Sequence, residues 1–341
     1  MKIAVLAGGL SPERDVSLSS ACLIANSLIR SGHSVALLDL CFDIPDDFAP
    51  LFSSRADFAY QIPEEVVNLD DIRQRSGRDN GYIGRNVLAA CAYADITFLA
   101  LHGSIGENGQ LQAALDCYGI RYTGSGYIGC LLSMDKDISK KLLRAAGIPT
   151  ADWKTYDIVS CTAEQIKADI GIPCVIKPCS CGSSIGVSLV KSEAELSAAL
   201  SLAAEYESAV MAEKFITGRE FSIGVLDGSA LAPVEIIPKT GFYDYKNKYQ
   251  SGLTTELCPA PLTEEENRRL AEAALAVHSV LRLGSYSRSD FILDEQTGEF
   301  ICLEANALPG MTPTSLLPQG AAACGIDYDQ LCLKIVELAG K

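Results

Sequence analysis

Short apolar runs alternate with longer amphipathic stretches along most of this chain. Residues 3–7 (IAVLA) form an unbroken apolar run ending in Gly8-Gly9, which predicts a buried strand followed by a turn. Ser17 to Leu28 reads as a helix, Ser34 to Leu40 (SVALLDL) as a second strand, and Ile96 to Leu101 as a third apolar run leading into His102-Gly103. Strands that alternate with helices predict a parallel sheet with helical crossovers. Residues 41–85 mix Pro, Asp, Arg and Gly without a period and read as a surface excursion of this first unit.

Further along, Ser133 to Ala146 reads as one helix closed by Gly147 and Pro149. Cys174 to Pro178 is a short strand that must stop at its proline, Gly182 to Gly186 a Gly/Ser loop, and Val187 to Val190 the returning strand. Val210 to Phe215 and Phe221 to Leu226 read as further strands, and Glu264 to Leu281 as a long helix. Asp290 to Asp294 and Phe300 to Glu304 pair as a hairpin around Glu295-Gln296-Thr297-Gly298. There is no internal repeat, and 341 residues allow two or three domains.

Composition narrows the classes. With 48% hydrophobic and 21% charged residues, the chain has the balance of a globular protein with a sizeable core. A net charge of −15 makes it a poor partner for nucleic acid or an anionic membrane. No apolar run approaches the roughly 20 residues that cross a bilayer. The start, Met1 to Leu6, runs into Gly8-Gly9 and then charge without a cleavage site, so the expected location is the cytosol. The 13 cysteines are scattered, which predicts reduced and mostly buried thiols. Cys179-Ser180-Cys181 is the one close pair, and two thiols alone rarely complete a metal site.

Four clusters carry candidate chemistry. Arg288 and Asp290 stand two apart on one predicted strand, Glu304 and Asn306 two apart on its partner, so each pair shares a face. Oxygen donors converging from adjacent strands suit a hard cation such as Mg²⁺, although a solvated hairpin with cross-strand charge pairs has the same spacing. Lys177 followed by Gly182-Ser183-Ser184-Ile185-Gly186 could meet phosphate through its ammonium and exposed amides, or be a flexible hairpin tip; it is not a Walker A loop. Glu213-Lys214-Phe215-Ile216 suits either an adenine-facing strand edge or an ordinary amphipathic strand. Gly8-Gly9-Leu10-Ser11-Pro12-Glu13 lacks the G-x-G-x-x-G dinucleotide pattern, and Glu13 could hold an ammonium group or lie on the surface.

In order, these segments resemble the D-alanine–D-alanine ligases of the ATP-grasp superfamily. The resemblance covers nearly the whole chain. It is carried by AGGLSPERDVSLSSA (7–21), LHGSIGENGQLQ (101–112), YTGSGYIGCLLSMDK (122–136), VIKPCSCGSSIGVS (175–188), EKFITGREF (213–221), GFYDYKNKY (241–249), SRSDFILD (287–294) and LEANALPGMTPTSLLP (303–318). It implies an α/β, three-domain ATP-grasp architecture: an N-terminal parallel-sheet (pre-ATP-grasp) domain at 1–122 on the substrate side, a central subdomain at 123–212, and a C-terminal subdomain at 213–341 with the Mg²⁺ and D-alanine sites.

It also implies roles. Lys136 and Lys177 contact the ATP phosphates; Glu213, Lys214, Ile216 and Glu220 hold adenine and ribose; Ser183 and Ser184 lie on the phosphate-covering loop. Asp290, Glu304 and Asn306 bind two Mg²⁺ ions, with Mn²⁺ as an alternative. Glu13 binds the first D-alanine's ammonium, His102 lies near the substrate, and Arg288 with the Gly310 backbone stabilises an oxyanion. Ser315 and Leu316 receive the second D-alanine's carboxylate. Lys248 and Tyr249 lie on a closing loop, within a tract from Lys239 to Cys258 that has Gly241 and Gly252 as candidate hinges. Tyr249 resembles the dipeptide-forming type; related ligases that make D-alanyl-D-lactate have histidine there.

Asn108, Ala307-Leu308, Cys181 and Ala21 depart from the common pattern, but none removes a metal ligand, a phosphate lysine or the substrate glutamate. The implied function is ATP-dependent joining of two D-alanines through an acyl phosphate, for peptidoglycan precursors, in a homodimer. A different acceptor (D-serine or D-lactate) and an ATP-binding protein without turnover are the alternatives.

Overall fold

The computed structural model describes residues 1–63, 67–77, 81–182, 184–239 and 254–339. Ser183, Lys248, Tyr249, Gly241 and Gly252 therefore lie outside the described residues.

Strand β1 (Lys2–Ala7) is buried from Ile3 onward because every one of those side chains is apolar. After helix α1 (Arg14–Arg30), strand β2 (Ser34–Asp39) pairs parallel on one side of β1. Two helices, α2 (Leu69–Ser76) and α3 (Val87–Tyr93), precede β3 (Ile96–Leu99), which pairs parallel on the other side. The order β2-β1-β3 is the expected parallel sheet with helical crossovers. Helix α2 forms inside the stretch that reads as irregular. Asn68 caps it, its side chain accepting from the Asp70 and Asp71 amides at 3.0 and 3.3 Å, and Gly77 ends it at φ 63°.

A short turn of helix, α4 (Ser104–Glu107), and α5 (Gln110–Cys117) follow the sheet's C-terminal edge. The single helix expected over 133–146 is two, α6 (Tyr127–Met134) and α7 (Lys136–Ala145). Asp135 breaks it: its backbone leaves the helical region, with ψ 101°, and its side chain caps α7 by accepting from the Ile138 amide at 2.9 Å. The break sets Lys136 at the first turn of α7.

Strands β4 (Trp153–Asp157), β5 (Cys174–Pro178), β6 (Ser188–Val190) and β7 (Ala209–Lys214) form an antiparallel sheet in the order β4-β7-β5-β6, backed by α8 (Ala163–Asp169) and α9 (Glu193–Ala204). The boundary expected at 212/213 thus falls inside β7.

A second antiparallel sheet contains β8 (Gly218–Leu226), the short β9 (Ser229–Ala230), β10 (Val234–Pro238), β11 (Thr254–Leu257), β12 (Tyr286–Asp294) and β13 (Phe300–Asn306). Helix α10 (Glu264–Val280) packs on it through Leu270, Ala274 and Val277, a stripe set by helical periodicity. The hairpin expected around 295–298 is β12–β13. Cys130, Leu143 and Ile148 share a core with Phe221 and Phe291, so α6 and α7 pack on this sheet rather than on the four-stranded one. The last helices, α11 (Leu316–Ala323) and α12 (Tyr328–Leu338), return to the N-terminal unit, where Leu331 and Ile335 join the core of Ile24 and Leu28. Among the described residues no helix is long and apolar enough to cross a membrane.

Candidate active site

The two antiparallel sheets face each other across a cavity of about 410 Å³. Its lining brings together Lys136, Lys177, Ser184, Glu213, Lys214, Ile216 and Glu220, residues spread over more than 80 positions in the chain. Val175, Phe215, Ile236, Ile292 and Leu303 supply apolar walls, and Lys136 stands at the end beside Glu304 of β13. An apolar slot with cations at one end suits a flat base carrying an anionic tail.

Lys136 reaches the Cys181 carbonyl at 2.7 Å and Glu304 at 3.6 Å. The stem of the Gly/Ser loop is fixed by Glu207, whose carboxylate accepts from the Cys179 and Ser180 amides at 2.9 and 3.0 Å. Cys179 and Cys181 are therefore parts of a hydrogen-bonded stem, and burial, followed by the Glu207 charge, pushes both thiols up to about 12. Glu213 differs from its expected role in one respect. Its carboxylate is buried and taken up by Lys140 and Lys177. Burial opposes its ionisation, but the two lysines prevail and hold it below the usual carboxylate range.

The strand pair β12–β13 brings its four polar residues onto one face, as the spacing predicts: Arg288 lies opposite Asn306 and Asp290 opposite Glu304. Arg288 grips Asp290 with two bonds of 3.0 and 2.9 Å, Ser222 donates to the same carboxylate at 2.6 Å, and Asn306 Nδ2 lies 3.4 Å from it. Among the described residues no cluster of three or more His, Cys, Asp or Glu side chains forms a metal cage. Two carboxylates and a carboxamide on adjacent strands instead have the chemistry that suits a Mg²⁺ taking its remaining ligands from phosphate and water. The donor set fits such an ion.

Glu304 also lines a second cavity, of about 260 Å³. This one is walled by Glu13, His102 and Glu107 from the N-terminal unit, Arg288 and Asn306 from the hairpin, and Gly310, Ser315 and Leu316 near the start of α11. Glu13 is buried at the N-cap of α1, its amide bonded to Ser11 Oγ at 3.2 Å. Gly103 lies against it with φ +63°, a left-handed backbone that favours glycine, and a Cβ there would displace the Glu13 and Ser11 side-chain oxygens, at 2.6 and 2.8 Å. His102 is buried, and burial lowers its pKa despite the nearby Glu13, leaving a neutral ring at neutral pH. Among the described residues its Nε2 has no hydrogen-bond partner. Ser315 is held to Thr312 by hydroxyl and amide contacts of 2.8 and 3.1 Å.

Sequence reasoning passed over Glu107 and Lys140. Glu107 sits within a Gly-rich tract five residues after His102, the signal that could have found it. Its carboxylate accepts from the Gly103 amide, and burial, then the charge of Glu13, pushes its pKa up to about 8. A carboxyl raised from 4.5 gives stability that is full below 4.5 and is lost as pH climbs to about 8, because the unfolded chain releases its proton first. Glu107→Gln should therefore gain on wild type in urea unfolding across that window, by at most about 1.4 kcal/mol per pH unit. Parallel pH profiles would refute this. Lys140 stands one helical turn beyond Lys136 on the same face of α7, which was its sequence signal.

Two antiparallel sheets clamping an apolar slot, with an acidic hairpin at its cationic end, define the ATP-grasp class of ligases. Comparison with known proteins agrees. The family model described as D-ala D-ala ligase N-terminus matches residues 2–125, and that described as D-ala D-ala ligase C-terminus matches 142–337. The D-alanine–D-alanine ligase of Pediococcus pentosaceus is 42% identical over 98% of this chain and 97% of its own length. That of Lacticaseibacillus casei is 38% identical over 98% and 95%. The crystal structure of the Bacillus anthracis D-alanine–D-alanine ligase complexed with ATP superposes with a TM-score of 0.74 at 29% identity, covering 99% of this chain and 97% of that one. The chain belongs to the D-alanine–D-alanine ligase family.

Proposed function

We propose that the chain joins two D-alanines into D-alanyl-D-alanine at the expense of ATP, supplying peptidoglycan synthesis in the cytosol as a homodimer. The observation that carries this is the meeting of the two cavities at Glu304, beside Arg288 and Asn306. A nucleotide in the larger cavity directs its phosphates at a substrate in the smaller one. The N-terminal unit then serves the amino acids, and the two antiparallel sheets serve the nucleotide.

Joining a carboxylate to an amine in water requires activating the carboxylate, and transfer of the γ-phosphoryl group to it does so. That step brings two anions together, so positioning and charge neutralisation supply most of the catalysis. Lys136 and Lys177 face the phosphates. Asp290, Glu304 and Asn306 hold Mg²⁺, which when bound neutralises phosphate charge. Glu13, buried at the cavity floor, suits the ammonium of the first D-alanine, and the unpartnered His102 Nε2 suits a polar atom of the same substrate. In the second step the second D-alanine's amine attacks the acyl phosphate and phosphate leaves, and Gly310 and Arg288 line the wall where the tetrahedral oxyanion develops. Ser315 stands at the N-terminus of α11, whose free amides and dipole favour the second carboxylate. Ser184, Lys214, Ile216 and Glu220 flank the nucleotide.

The test is phosphate release from Mg-ATP by purified protein with D-alanine, D-serine, D-lactate or L-alanine, and products weighed by mass spectrometry. The expected result is release that depends on D-alanine alone, with the D-alanyl-D-alanine mass. Release only when D-serine or D-lactate joins D-alanine would reassign the acceptor. ATP binding without release would end the ligase reading.

A further inference from the structure

Lys140 lies beneath the larger cavity and does not line it. Its side chain is 1% exposed. A buried ammonium is costly unless each of its three N–H groups finds an acceptor. Here Lys140 donates to Thr150 Oγ1 at 2.5 Å and to the Ala151 carbonyl at 3.4 Å, and the Glu213 carboxylate is its ion-pair partner. These acceptors come from both sides of the cleft. Glu213 lies on β7 of the four-stranded sheet, one residue before its end. Thr150 passes its own proton to the Cys302 carbonyl at 2.9 Å, on β13 two residues before Glu304. Packing alone would be met by methionine or leucine, so the charge itself needs a reason.

That reason lies in the grouping Lys140–Glu213–Lys177. A lysine paired alone with a carboxylate is, seen from a short distance, neutral. With a second lysine behind the same carboxylate, one unit of positive charge remains, and the lysine that borders the cavity is Lys177. We infer that Lys140 is a positioning residue for the phosphate chain: by sharing Glu213 it leaves Lys177's charge uncancelled toward the nucleotide and ties that wall to the strand bearing Glu304. This rests on the nucleotide reading of the larger cavity. Burial lowers the pKa of Lys140, and the Glu213 charge opposes that fall. The neighbouring Lys177 charge adds to the fall, so Glu213 is the group that favours the charged form of both lysines.

The test is calorimetric titration of the full chain with AMP and with ADP plus Mg²⁺. AMP reads the base, ribose and first phosphate; the ratio of the two dissociation constants reads what the longer phosphate chain adds. Lys140→Met should weaken ADP about tenfold and leave AMP within about twofold, the size expected for cancelling one nearby charge. Adding Glu213→Gln to Lys140→Met should restore the ratio, since Lys177 then has no carboxylate to cancel it. Equal weakening of AMP and ADP, or no restoration in the double variant, would overturn the inference. If the single variant does not fold, the double variant carries the test alone. It replaces both buried partners with neutral groups, which proteins tolerate far better than a stranded charge. A wild-type ratio in it upholds the inference, and a ratio reduced tenfold overturns it. Wild-type protein that binds neither AMP nor ADP would instead refute the nucleotide reading, and the inference with it.

Discussion

Arg288→Ala should lower kcat by about 10²–10³ while leaving the KM for ATP within a few-fold, the loss seen when one preorganised oxyanion donor is removed. The guanidinium is 16% exposed, faces the smaller cavity and is aimed by its two bonds to Asp290. It shares the wall of that cavity with Gly310. Arg288→Lys should recover only part of the loss, since a single ammonium cannot reproduce the planar fork that grips Asp290. Steady-state kinetics with D-alanine varied at saturating Mg-ATP decides the matter. Turnover within a few-fold of wild type in Arg288→Ala would remove the residue from the chemistry.

Glu213→Ala should destabilise the fold by about 3–5 kcal/mol, the cost of removing one partner from a buried ion pair. Here the loss leaves two lysine ammoniums, 1% and 10% exposed, facing each other with no acid between them. The pH dependence has a definite sign. In the wild type Glu213 is held below its ordinary 4.5, so its contribution is present above 4.5 and is lost as pH falls through the depressed value. The gap between wild type and variant should be full near neutrality and narrow in acid. Urea unfolding at pH 7 and at pH 3–4 measures both quantities, and a gap under about 1 kcal/mol at neutral pH would show the grouping to be solvated.

Much of this was legible along the chain. The run at 3–7, the SVALLDL strand and the third run at 96–101, of which 96–99 forms the strand, are apolar enough to be buried, so the parallel sheet followed. The hairpin was legible too, because a period of two puts Arg288 with Asp290, and Glu304 with Asn306, on one face whatever surrounds them. The helix over 133–146 was read too simply. Its apolar pattern runs through Asp135, and whether that aspartate points to solvent or caps a new helix depends on what Lys136 meets, here the carbonyls of Cys179 and Cys181. The signals of Glu107 and Lys140 are weak for a similar reason. A glutamate in a glycine-rich tract and a lysine in a charged helix look like surface residues until other segments cover them.

By itself, then, the sequence determined most of the elements and the family, and put candidate polar groups in order along the chain. Those follow from local periodicity and from residue types in order, which need no partner. The tertiary structure alone decided which charges share a site. It put Glu213 of β7 between Lys140 of α7 and Lys177 of β5, and it let Glu304 border both cavities. Burial and charge pairing depend on distances between segments remote in the chain. They set the cost of each ionised group, and so which charges are balanced by a partner and which border a cavity.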